Sequence, residues 1–245
     1  MIVSMARPGR VVAVVATVLV FASCHRTRDP LPGFPNLMLW AWERPEDLRF
    51  LDPAHAGVAL LAATVTLNGP RVYFRPRMQP LRVNPGTKLM AVVRIDSSGP
   101  PAGDPELVAA RILDAVRMPD ISALQIDYDA RASERAFYRD IVHRVRARLP
   151  ASMPLTMTAL VSWCASDNWI AGLPVAEAVP MYFRMGPEPH RRRASLRSPL
   201  CDASTGLSTD ELVRIPLHRR VYLFHPRPWT REACRNAVSE VNRWR

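Results

Sequence analysis

The sequence predicts an α/β domain folded as a (β/α)8 TIM-like barrel, and three observations lead there. From Asn36 onward, short apolar runs of β-forming residues alternate with amphipathic stretches, the mark of βα units around a parallel sheet. Seven candidate strands stand out, at Leu37–Trp42, Val58–Leu67, Lys88–Ile95, Ala123–Asp129, Leu155–Trp163, Glu177–Met185 and Arg220–His225. The segment after the first of them, "WAWERPEDL", lacks the Gly-rich phosphate turn that opens a doubly wound sheet, so right-handed crossovers closing into a barrel are the better reading. An eighth strand is expected within Leu196–Gly206, which makes the unit near residues 190–210 irregular or degenerate.

Helices are expected at Pro105–Arg117, Ser133–Leu149, Thr209–Ile215 and Thr230–Arg243. Asp104 is a suitable N-cap for the first, because its carboxylate can accept an orphan amide of a helix opening on Pro105 and Glu106. Ser133 is expected to cap the second. Along that helix Ala136, Phe137, Ile141, Val145 and Leu149 form one apolar stripe, and arginines fill the other face.

Residues 1–23 carry Arg7 and Arg10, an apolar run from Val11 to Ala22 that contains no charged residue, and a small residue before Cys24. This reads as a signal peptide, and the run is shorter than the ~20 residues a membrane-spanning helix needs. "VFASC" resembles a bacterial lipobox, with Phe21 in place of the usual aliphatic residue, so Cys24 is the expected lipidation site. The Pro- and charge-rich residues 24–35 are expected to be a lipoprotein tether, leaving 36–245 as one barrel domain. The expected location is the bacterial cell envelope, facing the periplasm or exterior, with membrane contact made through the lipid at Cys24.

Export permits a disulfide. Cys164 and Cys201 lie in polar, loop-like surroundings while Cys234 falls in a helical pattern, so Cys164–Cys201 is the preferred pair. The cysteine spacing fits no zinc motif, and no metal or cofactor is expected. A formal charge of +11 by itself suits a polyanionic partner such as nucleic acid. Lys88 is the sole lysine, however, so the composition is arginine-rich throughout; the run Arg191–Arg193 reads as a solvated loop, and no nucleic-acid partner is expected.

The stretch "ALQIDYDAR" concentrates the chemistry. Strand alternation puts Gln125, Asp127 and Asp129 on one face, toward the lumen, and Leu124, Ile126 and Tyr128 on the other, under helices. Carboxylates at the C-terminal end of a barrel strand sit where barrel enzymes keep their active sites. Other strand ends add Glu43, Arg94, Asp96, Trp163, Tyr182, Arg184, His225 and Trp229 as candidate substrate-binding residues. Arg94 is placed to pair with a carboxylate of the fourth strand, and Trp163 and Trp229 are the candidate stacking platforms. Trp40 and Trp42 share a face and read as core; His225 reads most simply as a satisfied barrel-end histidine. Paired carboxylates and aromatic rings in one cleft suit a glycan, since rings stack on sugars and glycosidic cleavage needs two carboxyl groups. Ion pairing to arginines, or a hard cation, is the structural alternative for the two aspartates.

The ordered set "LWAWER", "ALQIDYDAR", "LTMTALVSWC", "VPMYFRMG" and "YLFHPRPW" resembles the bacterial family known as domain of unknown function 3142, over nearly all of the chain after the tether. That resemblance implies a glycosidase-type TIM barrel and brings no established activity. More distantly the arrangement is similar to chitinase-type glycoside hydrolases, in which Met181 and Trp229 would match a sixth-strand methionine and the tryptophan flooring the sugar site. In one register the family's catalytic glutamate falls on Arg131; shifted by two, Asp129 takes its place. The expectation is therefore an exported, monomeric, glycosidase-like barrel that binds and hydrolyses a polysaccharide or oligosaccharide, with Asp129 as general acid and Asp127 orienting it. The alternative is a non-catalytic carbohydrate-binding module of the cell envelope.

Overall fold

The computed structural model describes residues 29–184, 195–215 and 217–244. The expected signal peptide at residues 1–23, the expected lipidation site Cys24 and Arg191–Arg193 lie outside the described residues. Strand β1 (Leu37–Ala41) is followed by a two-residue β2 (Glu46–Asp47), a long β3 (Ala56–Asn68), its hairpin partner β4 (Arg71–Pro76) and a second two-residue strand β5 (Leu81–Arg82). Then come β6 (Leu89–Ser97), β7 (Ile121–Asp127), β8 (Leu155–Leu160), β9 (Glu177–Met181), β10 (Ser204–Ser208) and β11 (Arg220–Phe224). Around the sheet the order is β1, β11, β10, β9, β8, β7, β6, β3, and β3 pairs back onto β1, which closes an all-parallel eight-stranded barrel. The expected eighth strand is thus β10, offset toward the end of its window. β4 lies antiparallel outside the barrel on β3, and β2 pairs with β5 in a small sheet of its own.

Helical cover among the described residues is sparse. Helix α1 (Pro105–Asp114) follows β6, α2 (Arg135–Arg148) follows β7 and α3 (Arg231–Asn242) follows β11. Asp104 caps α1 as expected, its Oδ1 accepting from the Glu106 amide at 2.9 Å. Ser133 does not cap α2: a short 3-10 turn over Ala132–Glu134 precedes the helix, and Glu134 Oε2 accepts from the Arg131 amide at 2.7 Å instead. The buried stripe of α2 is Tyr138, Ile141, Val142 and Val145, turned away from Ala136 and Phe137 because Tyr138 packs edge-on against Tyr128 of the strand it covers. The helix expected at Thr209–Ile215 is not formed. Seven residues ending before a proline make a poor helix, and the Thr209 amide donates to Phe224 O at 3.0 Å while Ser208 Oγ donates to Asp210.

The alternation of β7 sorts two hydrophobic layers. Leu124, Ile126 and Tyr128 join the shell between barrel and helices. Met38, Trp40, Ala59, Met90, Val92, Ala123, Val179 and Tyr222 fill the lumen. Gly206 of β10 makes room for them, since a Cβ there would lie 3.0 Å from the Trp40 ring and 3.2 Å from Pro180 O.

Part of the stretch expected as a tether belongs to the barrel. Leu31 is fully buried in the lumen cluster. Arg220, buried at the start of β11, donates to Pro35 O at 3.1 Å and Leu31 O at 3.2 Å, and pairs with Asp29 at 3.1 Å and Glu177 at 3.3 Å. Tyr222 donates to Glu177 Oε1 at 2.6 Å. Burying this much charge is tolerated because every group has partners, and the result is a plugged floor at the N-terminal end of the strands.

The expected disulfide is present between Cys164 and Cys201, with Cα atoms 5.9 Å apart, and Cys234 is a buried free thiol on α3. The bridge closes a loop with a sequence separation of 37 residues. In the chain-entropy picture such a loop is worth about 4 kcal/mol. A Cys164→Ala/Cys201→Ala double variant should therefore lower the urea midpoint by an amount equivalent to about 2–4 kcal/mol; an unchanged midpoint would show the bridge to be dispensable.

Candidate active site at the barrel mouth

Lumen-facing side chains near the C-terminal strand ends enclose a cavity of ≈ 180 Å³. Asp127, Asp129, Thr158 and Arg94 form one side; Trp42, Phe224 and Phe183 form the other, with Trp40 beneath. A polar annex of ≈ 140 Å³ shares Arg94, Asp127 and Asp129 and adds Asp96 and Arg131.

Register explains the carboxylate wall. Arg94 on β6 is the ladder neighbour of Asp127 on β7, so these side chains rise together at the mouth. Asp127 is half-buried, and its Oδ1 accepts from Thr158 Oγ1 on β8 at 2.7 Å. Burial pushes its carboxyl up to about 6, the Thr158 hydrogen bond opposing this and the Asp129 charge adding to it. Asp129, two residues on and just past the strand end, is exposed at the rim. Partial dehydration raises its carboxyl above the usual range, against the pull of Arg94. Arg94 does not pair with β7 as expected; its Nε donates to Asp96 on its own strand at 2.7 Å. Burial disfavours the Arg94 charge, yet the Asp96 hydrogen bond and the nearby aspartates outweigh it and raise the guanidinium.

The aromatic wall is held from outside. Arg77, beyond β4, donates to Ala41 O at 3.3 Å, Trp42 O at 2.7 Å, Leu61 O at 3.3 Å and Arg44 O at 2.7 Å, capping the end of β1 and the register shift within β3. Arg44 spans Glu46 at 2.8 Å and the carbonyls of His225 and Pro226 at 2.5 and 2.9 Å. Trp42 and Phe224 meet edge to face with centroids 5.8 Å apart, and Phe183 stacks on Phe224 at 6.0 Å. Below them Trp40 Nε1 crosses the lumen to Gln125 Oε1 at 2.8 Å.

Of the residues singled out from sequence, Asp127, Asp129, Arg94 and Arg184 share the cavity, and Asp96 lines the annex. Gln125 is fully buried one layer down, where it bonds Trp40 and Thr156 and is part of the floor. Glu43 faces the hairpin instead, bound to Arg75 at 2.6 Å and to the Met78 amide at 3.2 Å. Trp163 is no platform: β8 ends at Leu160, and the ring turns outward to pack edge-on against Trp169 at 4.9 Å, next to the disulfide. Tyr182 likewise points into the outer shell, where burial pushes its phenol up to about 12. Trp229 is buried with its Nε1 on Trp40 O at 2.9 Å and its amide on Glu46 Oε2 at 2.8 Å, so it braces β1 and floors no sugar site. His225 bonds Thr209 Oγ1 at 2.5 Å and lies against Trp229, a satisfied barrel-end histidine, with its imidazole lowered by burial and by Arg44 and Arg227.

Sequence reasoning missed Trp42, Phe183, Phe224 and Thr158. Trp42 and Phe224 could have been found, because each lies at a strand end two residues beyond a lumen aromatic, Trp42 just past β1 after Trp40 and Phe224 closing β11 after Tyr222. Phe183 and Thr158 required the register between strands. The described residues contain no cluster of three or more His, Cys, Asp or Glu side chains suited to a metal ion. No helix among them is long and apolar enough to cross a membrane.

No protein-family model matches the chain, nor does any curated protein or solved structure. The fold and the mouth therefore carry the functional argument.

A carboxyl raised in the folded state binds its proton more tightly there than in the unfolded chain. Its contribution to stability is complete below about pH 4 and is lost as pH rises through about 6. Between pH 4 and 8 the wild type should lose up to about 3 kcal/mol relative to Asp127→Asn, measured by urea unfolding at each pH; parallel profiles would show that Asp127 titrates normally.

Proposed function

We propose that the mouth binds a glycan and hydrolyses it in glycosidase fashion. The carrying observation is the pairing, within one cavity, of two carboxyl groups with a facing aromatic wall. Sugar rings present apolar faces to aromatic surfaces and hydroxyls to carboxylates, and glycosidic cleavage needs one acid and one carboxylate flanking the bond. Asp127, raised to about 6 and steadied by Thr158, has the proton affinity of a general acid near neutral pH. Asp129 at the open rim then serves as the second carboxylate, where water or the sugar has access. This exchanges the two roles expected from sequence, on the ground that the more dehydrated carboxyl keeps its proton. At ≈ 180 Å³ the cavity suits a single ring, since pockets for drug-sized ligands start at about 300 Å³; the rest of a chain would run over the mouth. The ordered motifs that resemble domain of unknown function 3142, and more distantly chitinase-type hydrolases, support the same reading. Export and lipidation at Cys24 are part of the proposal and rest on residues 1–24 alone.

One observation favours a second reading, a non-catalytic glycan-binding module. Arg131 lines the annex at one of the positions where the chitinase-type pattern has its acid, and Asp127 and Asp129 are both shorter than that glutamate.

A panel of bacterial and chitin-type oligosaccharides, assayed for binding and for reducing-end release in the same wells, separates the two. The hydrolase reading expects release by the wild type, falling above about pH 6 and by about 10²-fold or more in Asp127→Asn. It also expects weaker binding by Trp42→Ala. Binding without release selects the module, and neither binding nor release removes the glycan reading.

A further inference from the structure

Charge is divided across the mouth. On one side Asp129 stands at the rim beside Asp127. On the other, Arg184 follows β9 with φ at +53°, a left-handed conformation that a residue with a Cβ adopts only when something holds it there. Its amide is anchored on Glu211 Oε2 at 2.8 Å. Its guanidinium lies over the Phe224 ring, 5.6 Å from the centroid, and among the described residues it has no carboxylate partner. Arg94 sits over Trp42 at the same distance, 5.6 Å. The mouth thus carries a continuous strip, Arg94 over Trp42, Trp42 edge-on to Phe224, Arg184 over Phe224. Of the two cations, Arg94 is neutralised by Asp96, whereas the Arg184 guanidinium has no ion-pair partner among the described residues.

We propose that the site is built for an acidic glycan, one whose sugar ring carries a carboxylate as a uronic acid does, and that Arg184 is the residue that selects it. The inference rests on the glycan reading above. A ring bound against Trp42, with Phe224 set edge to face beside that indole, places one edge toward Arg184 and the opposite edge toward Asp127 and Asp129. A carboxylate on the first edge gains a planar, two-pronged partner already ordered by stacking on Phe224. The same carboxylate reversed would face Asp129 and be repelled. The charge separation therefore fixes the orientation of the ring as well as the class of sugar, and it directs the glycosidic bond to the aspartates. A cationic amino sugar is disfavoured in that pose because its ammonium would meet Arg184.

The test uses partial hydrolysates of several uronic polysaccharides, each paired with the same material after carbodiimide activation and borohydride reduction, which turns the carboxylates into neutral alcohols. Chitosan oligosaccharides serve as the cationic control. Wild-type protein should bind at least one acidic preparation about tenfold tighter than its reduced partner. Arg184→Gln should lose that factor while keeping affinity for the neutral form, and Arg184→Lys should retain only part of it, each variant being checked for an unchanged thermal unfolding curve. Equal binding of acidic and reduced forms, or a preference for chitosan, overturns the inference and leaves the glycan reading standing. Discrimination that survives in Arg184→Gln overturns the assignment to Arg184. Failure to bind any preparation, charged or neutral, counts against both.

Discussion

Guanidinium groups donating to backbone carbonyls hold this barrel's loops in place. Where a crossover is helical, its amides and carbonyls satisfy one another; where it is a loop, the carbonyls at strand ends need other donors. Arg77 serves the end of β1 and the register shift within β3, Arg44 the end of β11, and Arg220 the chain entering the floor. Arg146 caps the end of α2 through Leu149 O and Pro150 O, and Arg139 reaches Trp169 O. Hydrogen bonds from a charged donor are worth about 1.5–3 kcal/mol each, and a planar fork with five donors meets several carbonyls at once, which an ammonium cannot do. Five of the chain's arginines are thus used by the architecture. A barrel with few helices uses arginine to close its loops.

The same bonds set the geometry of the mouth. Trp42 lies beyond the last residue of β1, where nothing in the sheet ladder constrains it; Arg77 on its carbonyl, and Arg44 with Glu46 and Trp229 behind it, supply the constraint. On the facing wall Glu134 does comparable work. Buried beneath the β7 loop, it accepts from Ser97 Oγ at 2.6 Å and from the Arg131 amide at 2.7 Å, tying the turn after Asp129 to the end of β6. Aromatic and acidic walls are therefore braced by separate sets of charged residues, Arg77, Arg44 and Glu46 for the one and Glu134 for the other, none of which lines the cavity.

The parts of this structure legible in the sequence were those written in local periodicity. Alternation in "ALQIDYDAR" separated Asp127 and Asp129 from Leu124, Ile126 and Tyr128 correctly, and the surroundings of the cysteines distinguished the bonded pair from Cys234. Strand ends were less legible, because period-two alternation does not say where a strand stops. β8 ends three residues before Trp163 and β9 one before Tyr182, so both rings face the outer shell. The extended β3–β4 hairpin was also hidden, since its outer strand "RVYFRP" is polar on one side and bounded by prolines, and so reads as loop. Trp42 and Phe224 were passed over for another reason. An aromatic in an apolar run is more often core, and only the closure of β11 onto β1 shows that these two meet above the packed lumen.

The plugged floor bears on how the molecule can be presented. Asp29 and Leu31 are held against Arg220 at the end of the barrel opposite the aspartates. The chain is therefore fastened at the base of the barrel from residue 29, and the Arg220 cluster holds it there before β1 begins. An anchor at Cys24, as proposed, would present the base of the barrel to the surface that holds it and leave the mouth on the opposite side.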